Sequence, residues 1–239
     1  MKFLYYVPAF GNPDMNIKYN ILIHNLLYIF KRTMVPLDLC INMYSVSEDM
    51  KEQLKTLPFL SKIYIHESKG VLTELFLNNP HNVHVPEYDY IFFVLDDVKI
   101  KQMDIQRMIS IKQKHQIEVF SPKIIQSTHS FMKDGSELTL NNALEVFFLL
   151  LTPKDFQRFC SIHTVQNKWM WGADFLFGYY KITAGVLHTC IAEHMLSSNS
   201  DKGEANHLMI EYLKQRTPYT GIWGQIDRDY PCVIQTITV

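Results

Sequence analysis

The chain has 239 residues, of which 47% are hydrophobic, so it can bury a large core without disulfide bonds. Its formal net charge is -1 and its lysines and arginines are scattered, which argues against a basic surface for nucleic acid. The four cysteines lie far apart without CxxC spacing, which favours free thiols in a reducing compartment over a zinc ribbon. They are Cys40, Cys160, Cys190 and Cys232.

No segment is predicted to cross a membrane. The N-terminal apolar run reaches Pro8 too soon for the core of a signal peptide. The most apolar later stretch, residues 146–151, is far shorter than the roughly 20 residues of a spanning helix. We therefore predict a single, soluble, cytoplasmic domain over residues 1–239.

The first half of the chain alternates short apolar runs with amphipathic segments, which is typical of an α/β fold with a mainly parallel sheet. One helix should end near Arg32, and a second, short helix should begin after Ser47. The last apolar run before residue 100 is that of a central strand covered on both faces, and it ends abruptly in Asp96 and Asp97. The predicted strands are residues 3–7, 37–44, 62–66 and 89–95.

The second half is less regular and predicts a mixed sheet. A polar loop through His129 follows its first strand, and helices should begin at Pro153 and near Phe175. The predicted strands are residues 118–121, 144–151 and 185–191. Open α/β sheets bind ligands beyond the carboxyl ends of their strands, so we expect the functional site at that edge.

The acidic pair Asp96 and Asp97 is the first candidate for chemistry. Two adjacent carboxylates at the exit of a buried strand repel each other unless a cation or hydrogen-bond donors lie close by. Mg²⁺ and Mn²⁺ prefer oxygen ligands and commonly take one or two protein carboxylates together with phosphate oxygens. The pair therefore indicates either a divalent-metal site or an ordinary solvent-facing turn.

Two further features follow along the chain. Gly172, beside Trp171 and just before a predicted helix, can shape a sugar-sized pocket into which Asp174 projects as a general base. The alternative is a core tryptophan followed by an acid that interacts with the helix dipole. His194 follows the last predicted strand, where a further metal ligand would converge, although a histidine is more often a surface or core residue than a ligand.

Taken together, these features resemble the GT-A glycosyltransferases. In that class an apolar strand ends in a DxD-type motif, which is followed along the chain by a Trp-Gly-x-Asp element and a late histidine. Within that class the chain resembles a plant and microbial family termed a domain of unknown function, and small glycosyltransferases of large algal viruses. The matching stretches are residues 88–98, 144–153, 169–175 and 185–194. The resemblance implies a Rossmann-like nucleotide-diphospho-sugar transferase fold, with a mainly parallel mixed sheet flanked by helices. It also implies that about residues 1–100 bind the nucleotide sugar and about residues 101–239 bind the acceptor. If the chain is viral, its expected location is the host cytoplasm.

The same resemblance implies a role for each candidate residue. Asp97 and His194 would coordinate Mn²⁺ or Mg²⁺ at the donor diphosphate, and Asp96 would lie close to the ribose or the metal. Asp174 would deprotonate the acceptor hydroxyl. One position departs from the pattern, since Leu95 stands where the family has the first acid of its motif.

The predicted reaction is transfer of a sugar from a nucleoside diphosphate, with UDP the expected carrier, to a hydroxyl of a glycan with inversion. We expect Pro8, Ala9, Phe10 and Tyr44, at the ends of the first two strands, to surround the nucleoside. Two alternatives share part of this pattern. A nucleotidyltransferase would need a glycine-rich basic loop after strand one, where this chain has Pro-Ala-Phe-Gly-Asn-Pro. A non-catalytic protein that binds nucleotides or carbohydrates would be consistent with Leu95.

Overall fold

A computed structural model describes residues 1–78, 83–126, 137–196, 202–218 and 233–239. Within these residues the chain forms one mixed sheet of ten strands with helices packed against it. The strands are β1 (Phe3–Phe10), β2 (Leu37–Met43), β3 (Leu60–His66), β4 (Tyr90–Val94), β5 (Val98–Gln102), β6 (Val119–Ile125), β7 (Leu138–Asn141), β8 (Phe148–Leu151), β9 (Ala184–His194) and β10 (Val233–Ile237). The helices are α1 (Met15–Thr33), α2 (Glu48–Lys55), α3 (Leu72–Asn78), α4 (Ile105–Lys114), α5 (Pro153–Ile162), α6 (Leu176–Tyr179) and α7 (Lys202–Arg216).

The sheet has a parallel region and an antiparallel extension. Strands β3, β2, β1 and β4 are parallel neighbours, and β8 adds to β4 in the antiparallel sense. Beyond β8 lie β6, β9, β7 and β10, of which β6 and β9 are parallel to each other. Strand β5 pairs with β9 outside this order. The predicted fold class, an α/β fold with a mainly parallel central mixed sheet flanked by helices, is confirmed.

Strand β1 shows why helices cover both faces of the sheet. Its residues from Phe3 to Val7 are all 1% exposed or less, and successive side chains of a strand point to opposite faces. Phe3 and Tyr5 pack into one core cluster, together with apolar residues of α1. Tyr6 packs into the second, against Phe76 of α3. A strand that is apolar on both sides is stable only when both sides are covered.

Asn25 of α1 ties that helix to β5. Its Nδ2 atom donates to the carbonyl oxygen of Val98 at 2.7 Å and to the hydroxyl of Tyr5 at 3.0 Å. Its Oδ1 atom accepts from the backbone N–H of Ile100 at 2.8 Å. Because β5 begins directly after Asp97, these bonds fix the segment through which the chain leaves the acidic pair.

Several predicted boundaries differ from the structure. Strand β1 continues to Phe10, so the three residues expected in a loop from Pro8 onward form the end of the strand. The strand predicted from residue 144 begins only at Phe148; residues 142–147 form a loop whose Leu144 is fully buried, which explains why it resembles a strand in sequence. Strand β9 is longer than predicted and includes His194. The predicted polar loop through His129 lies outside the described residues.

Two expectations from composition can be compared with the structure. Cys40, Cys160 and Cys190 are free thiols, as predicted, and Cys232 lies outside the described residues. None of the helices in the described part of the chain combines the length and the apolar character that crossing a bilayer requires.

Replacing Asn25 with alanine should lower the free energy of unfolding by about 1–3 kcal/mol, because buried backbone groups of Val98 and Ile100 lose their partners. Urea unfolding of both proteins measures the difference. The matched control is Asn20→Ala on the same helix, at an exposed position, which should change stability by less than about 0.5 kcal/mol. Equal losses in the two variants would contradict this role for Asn25.

Candidate active site

The parallel strands β1, β2 and β4 end at the same edge of the sheet, where their following residues meet. Gly11 follows β1, and a Cβ atom at that position would lie only 2.9 Å from the ring of Tyr44, which follows β2. Lys18 of α1 donates to the carbonyl oxygen of Gly11 at 3.1 Å and forms an ion pair with Asp96 at 2.8 Å. The edge therefore combines a tyrosine, a lysine and a carboxylate around Gly11, against which Tyr44 packs closely.

The carboxylate of Asp96 is largely shielded from solvent, with a relative exposure of 17%. Burial raises the pKa of Asp96 to about 6, the charge and hydrogen bond of Lys18 oppose this rise, and the charge of Asp97 adds to it. The lysine thus compensates part of the repulsion within the acidic pair. Sequence reasoning missed Lys18, although a lysine in the first turn of a helix is unfavourable for the helix dipole and signals a specific partner.

Asp97 and His194 form the second part of the site. In the antiparallel β5–β9 ladder Val98 is the register partner of His194, which brings the residue before Val98 close to the histidine ring. The Nε2 atom of His194 lies 3.0 Å from Oδ2 of Asp97, and the backbone N–H of Met195 donates to the carbonyl oxygen of Asp97 at 2.8 Å. The ring of Phe147 stacks on His194 with centroids 4.7 Å apart. The structure thus brings together the two residues that the sequence predicted as metal ligands.

The donor atoms of this pair suit a divalent cation. Oδ2 of Asp97 and Nε2 of His194 are hydrogen-bonded at 3.0 Å, so the proton that they share must leave before both atoms can bind one cation. Within the described ranges, no group of three or more His, Cys, Asp or Glu side chains is arranged to hold a metal. Two protein ligands leave the remaining positions to phosphate oxygens and water, which is the usual arrangement for Mg²⁺ in nucleotide enzymes. The hydrogen bond that His194 donates to Asp97, followed by the charges of Asp97, Glu145 and Asp96, raises the pKa of His194 against the opposing effect of burial.

Asp174 lies in a turn with a restricted backbone. Gly172 has a φ of 82°, and a Cβ atom there would lie 2.7 Å from Cγ of Met209. The side-chain amide of Asn167 donates to the carbonyl oxygen of Trp171 at 2.7 Å and holds the turn from the other side. Glycine is required here by both its conformation and the close approach of α7. The turn therefore presents Asp174 in one fixed position.

The carboxylate of Asp174 is almost entirely buried, with 8% of the residue exposed. Burial raises its pKa to about 7, the charge of Glu145 adds to the rise, and backbone N–H groups of the turn oppose it. Its Oδ1 atom accepts no hydrogen bond from the described residues. A carboxyl group with a pKa near neutrality and a free acceptor atom is suited to accept a proton.

Sequence reasoning also missed Glu145, which is 2% exposed and acts electrostatically on both Asp174 and His194. The signal was present, since this acid interrupts the apolar run Ala-Leu-Glu-Val-Phe-Phe at residues 143–148. An ionisable residue inside an apolar run is uncommon unless it has a partner or a function.

Comparison with solved structures reveals the fold. GalNAc-T7, crystallised with UDP, GalNAc and Mn²⁺, matches 97% of this chain with a TM-score of 0.66 and 10% identity. TarS of S. aureus matches 90% of this chain with a TM-score of 0.56 and 10% identity, and a TarS fragment in complex with UDP-GlcNAc matches 95% with a TM-score of 0.54 and 13% identity. These proteins are GT-A glycosyltransferases. The chain has the GT-A fold.

The similarity has defined limits. No protein-family model and no curated protein sequence matches the chain, so the two narrower groups that its motifs resemble are not shown. The chain spans 43% of the length of TarS, 55% of GalNAc-T7 and 70% of the TarS fragment bound to UDP-GlcNAc. At these identities the comparison establishes the GT-A fold and nothing more specific.

The residues predicted to surround the nucleoside lie near the carboxyl end of β1 in this GT-A fold, but they differ in how far their side chains are exposed. Phe10 is fully buried in the core, so its ring packs against apolar side chains. Pro8 is buried and Ala9 is half-buried within the same strand. Tyr44 is half-buried and faces Gly11. The aromatic face available at this edge is therefore that of Tyr44.

A separate cleft of about 410 Å³ lies at the opposite end of β5 from Asp97, and none of the predicted site residues lines it. Asp104, one of its lining residues, caps α4 by accepting from the backbone N–H of Arg107. The cleft is lined by Tyr28, Arg32, Gln102, Met103, Asp104, Ile105, Gln106, Arg107 and Thr189. This cleft is therefore separate from the site formed by Asp96, Asp97 and His194.

The raised pKa of Asp174 predicts a particular pH dependence of stability. The group titrates near 7 in the folded chain and near 3.9 when unfolded, so between these values the folded chain holds a proton that the unfolded chain has lost. Wild-type stability should therefore fall as pH rises from about 4 to 7. Asp174→Asn removes this term, so the variant should gain on the order of 1 kcal/mol or more relative to wild type between pH 5 and 8. Urea unfolding across that range measures it, and parallel curves would exclude an elevated pKa.

Proposed function

We propose that this chain is a metal-dependent glycosyltransferase that moves a sugar from a UDP-sugar to a hydroxyl of a glycan acceptor with inversion. The observation that carries the proposal is the convergence of Asp97 and His194 at the strand edge, with Asp174 presented from a separate fixed turn. The fold adds support, because similar structures were crystallised with UDP and Mn²⁺ and with UDP-GlcNAc.

The leaving diphosphate requires charge neutralisation. Asp97 and His194 would hold Mn²⁺ or Mg²⁺, and the bound metal supplies the positive charge that stabilises the departing phosphate. Lys18 lies beside the same edge and contributes a second positive charge next to Asp96. On this proposal Asp96 lies at the nucleoside side of the diphosphate, close to Gly11 and Tyr44.

The acceptor is activated from the other side. Asp174 accepts the proton of the acceptor hydroxyl while the hydroxyl oxygen forms a bond to the anomeric carbon. The bond from that carbon to the β-phosphate oxygen breaks, and its electron pair leaves with UDP. A pKa near 7 keeps a substantial fraction of Asp174 ionised at neutral pH, as a base requires. A single base on the acceptor side leads to direct displacement, hence the inversion in the proposal.

The nucleoside contacts follow from the strand edge. Tyr44 offers an aromatic face, while Pro8, Ala9 and Phe10 would contribute backbone atoms at the end of β1. A cytoplasmic location and a viral origin stay predictions from the sequence. A nucleotide- or carbohydrate-binding protein without activity is the second candidate, and the observation in its favour is the leucine at position 95.

Asp97→Ala should abolish the metal dependence of UDP binding. We expect wild type to bind UDP at least about tenfold more tightly with Mn²⁺ than with a chelator, which corresponds to about 1.4 kcal/mol. The variant should show one affinity in both conditions, because the metal loses its carboxylate. Isothermal titration calorimetry measures all four affinities. Asp89→Ala, at the other end of β4, is the control and should keep the wild-type difference; a variant at position 97 that also keeps it would exclude the metal role.

Asp174→Asn should separate catalysis from binding. The amide keeps the shape of the side chain but cannot act as the base, so turnover should fall at least about a hundredfold. Affinity for the UDP-sugar should stay within about twofold of wild type, because the proposed donor contacts lie at the other part of the site. UDP release, followed with UDP-GlcNAc or UDP-GalNAc and a panel of saccharide acceptors, gives the turnover. Near-normal turnover would remove Asp174 from the mechanism.

A further inference from the structure

The two acids that follow β4 have different partners. Nζ of Lys18, in α1, forms an ion pair with Oδ2 of Asp96 at 2.8 Å. Oδ2 of Asp97 instead lies 3.0 Å from Nε2 of His194, at the end of β9. Although the two acids are adjacent in the chain, their carboxylates are therefore held by separate elements of the fold.

The ammonium group of Lys18 also holds the segment that follows β1. It donates to the carbonyl oxygen of Gly11 at 3.1 Å. The ring of Tyr44 packs against Gly11, since a Cβ atom there would lie only 2.9 Å from it. Lys18 thus links the residues that follow β4 and β1, and Gly11 connects them to the aromatic ring that follows β2.

The setting of Lys18 shows that the lysine fixes the direction of a side chain. The Lys18 side chain is only 11% exposed, and it lies in the first turn of α1, where the helix dipole disfavours a positive charge. An ion pair shielded from water is weak evidence for stability, because desolvation of both charges offsets much of their attraction. Its geometric consequence is definite, since one ammonium group bonded to both Asp96 and Gly11 keeps that carboxylate near the end of β1.

The proposed reaction requires the two carboxylates to bind different groups. The number and charge of oxygen ligands set the affinity for a divalent cation, so an unpaired Asp96 beside Asp97 would be a further ligand for it. Held by Lys18, Asp96 faces the nucleoside side instead, where ribose hydroxyls can donate to a carboxylate. We propose that Lys18 is a positioning residue that reserves Asp96 for the ribose and leaves the cation to Asp97 and His194. This inference rests on the proposed function and adds the residue that orients its donor site.

Lys18→Met should remove the preference for the ribose hydroxyls. Methionine keeps an unbranched apolar stem but has neither charge nor donor, so Asp96 loses the group that holds it. Calorimetry with Mn²⁺ compares UDP with 2′,3′-dideoxy-UDP. We expect wild type to bind UDP about tenfold more tightly than the dideoxy compound, and the variant to bind the two within about twofold of each other. Both ligands carry the same diphosphate, so loss of a positive charge alone would leave their ratio unchanged.

The affinity for Mn²⁺ without nucleotide should change in the opposite direction. Lys18→Met frees a carboxylate beside Asp97, so the variant should bind Mn²⁺ at least about fivefold more tightly than wild type, as measured by electron paramagnetic resonance of the unbound ion. In an Asp96→Asn background the same change at position 18 should alter Mn²⁺ affinity by less than about twofold, since no carboxylate is freed. A purely electrostatic effect of Lys18 would raise the affinity equally in both backgrounds.

A matched control and a second variant complete the test. Lys31→Met makes the same substitution at an exposed position in the last turn of α1 and should keep the wild-type values in both measurements. Lys18→Gln removes the charge but keeps a donor for the Gly11 carbonyl. It should show the same lower ratio and tighter Mn²⁺ binding, and it is the deciding variant if thermal melting shows that Lys18→Met does not fold.

The outcomes distinguish this inference from the proposed function. A wild-type chain that does not bind UDP in the presence of Mn²⁺ overturns both. The role of Lys18 alone is overturned if wild type binds UDP and the dideoxy compound equally well, or if a folded position-18 variant keeps the wild-type ratio. It is also overturned if the Mn²⁺ affinity of that variant is unchanged or lower. A lost ratio together with tighter Mn²⁺ binding supports it.

Discussion

The pairing of β5 with β9 is the constraint on which the candidate site depends. Strand β4 lies in the parallel part of the sheet, but the chain turns after Asp97 and its next strand pairs with β9 instead. This change of partner leaves Asp96 and Asp97 in the turn between the two strands, with their side chains near the sheet edge. The register of Val98 with His194 then places the histidine beside Asp97, and the hydrogen bonds of Asn25 hold β5 in that register.

The charges at this edge of the sheet indicate the same candidate site as its geometry does. Asp96, Asp97, Glu145 and Asp174 are all shielded from solvent, and Lys18 is the cation that forms an ion pair with Asp96 within the described residues. Burial, with a smaller contribution from neighbouring carboxylates, raises the pKa values of Asp96 and Asp174, and the hydrogen bond with Asp97 raises the pKa of His194. On the proposed function, a divalent cation held by Asp97 and His194 would add a positive charge at this edge.

The sequence carried part of this arrangement clearly. An apolar run that ends in two acids identified β4 and its exit, and the strand-end position of His194 was enough to expect it near Asp97. The rest depends on contacts between distant segments. Strand β5 is a short run of alternating polar and apolar residues whose pairing with β9 has no local signal. The loop at residues 142–147 is apolar because it packs on the core, so it resembled the start of a strand and concealed Glu145. Phe10 looked like a loop residue because proline and glycine lie on either side of it, yet β1 continues through it.

Leu95 shows how one departure from a motif is accommodated by its surroundings. Leu95 directly follows β4; its half-buried side chain packs against both core clusters, and its backbone N–H donates to the carbonyl oxygen of Phe147. The next residue, Asp96, is the one that reaches Gly11 and Lys18 at the end of β1. On the proposed function, the nucleoside side of the site therefore keeps a carboxylate although position 95 lacks one. Leucine at this position packs its side chain against apolar neighbours, and on the proposed function Asp96 and Tyr44 would contact the nucleoside.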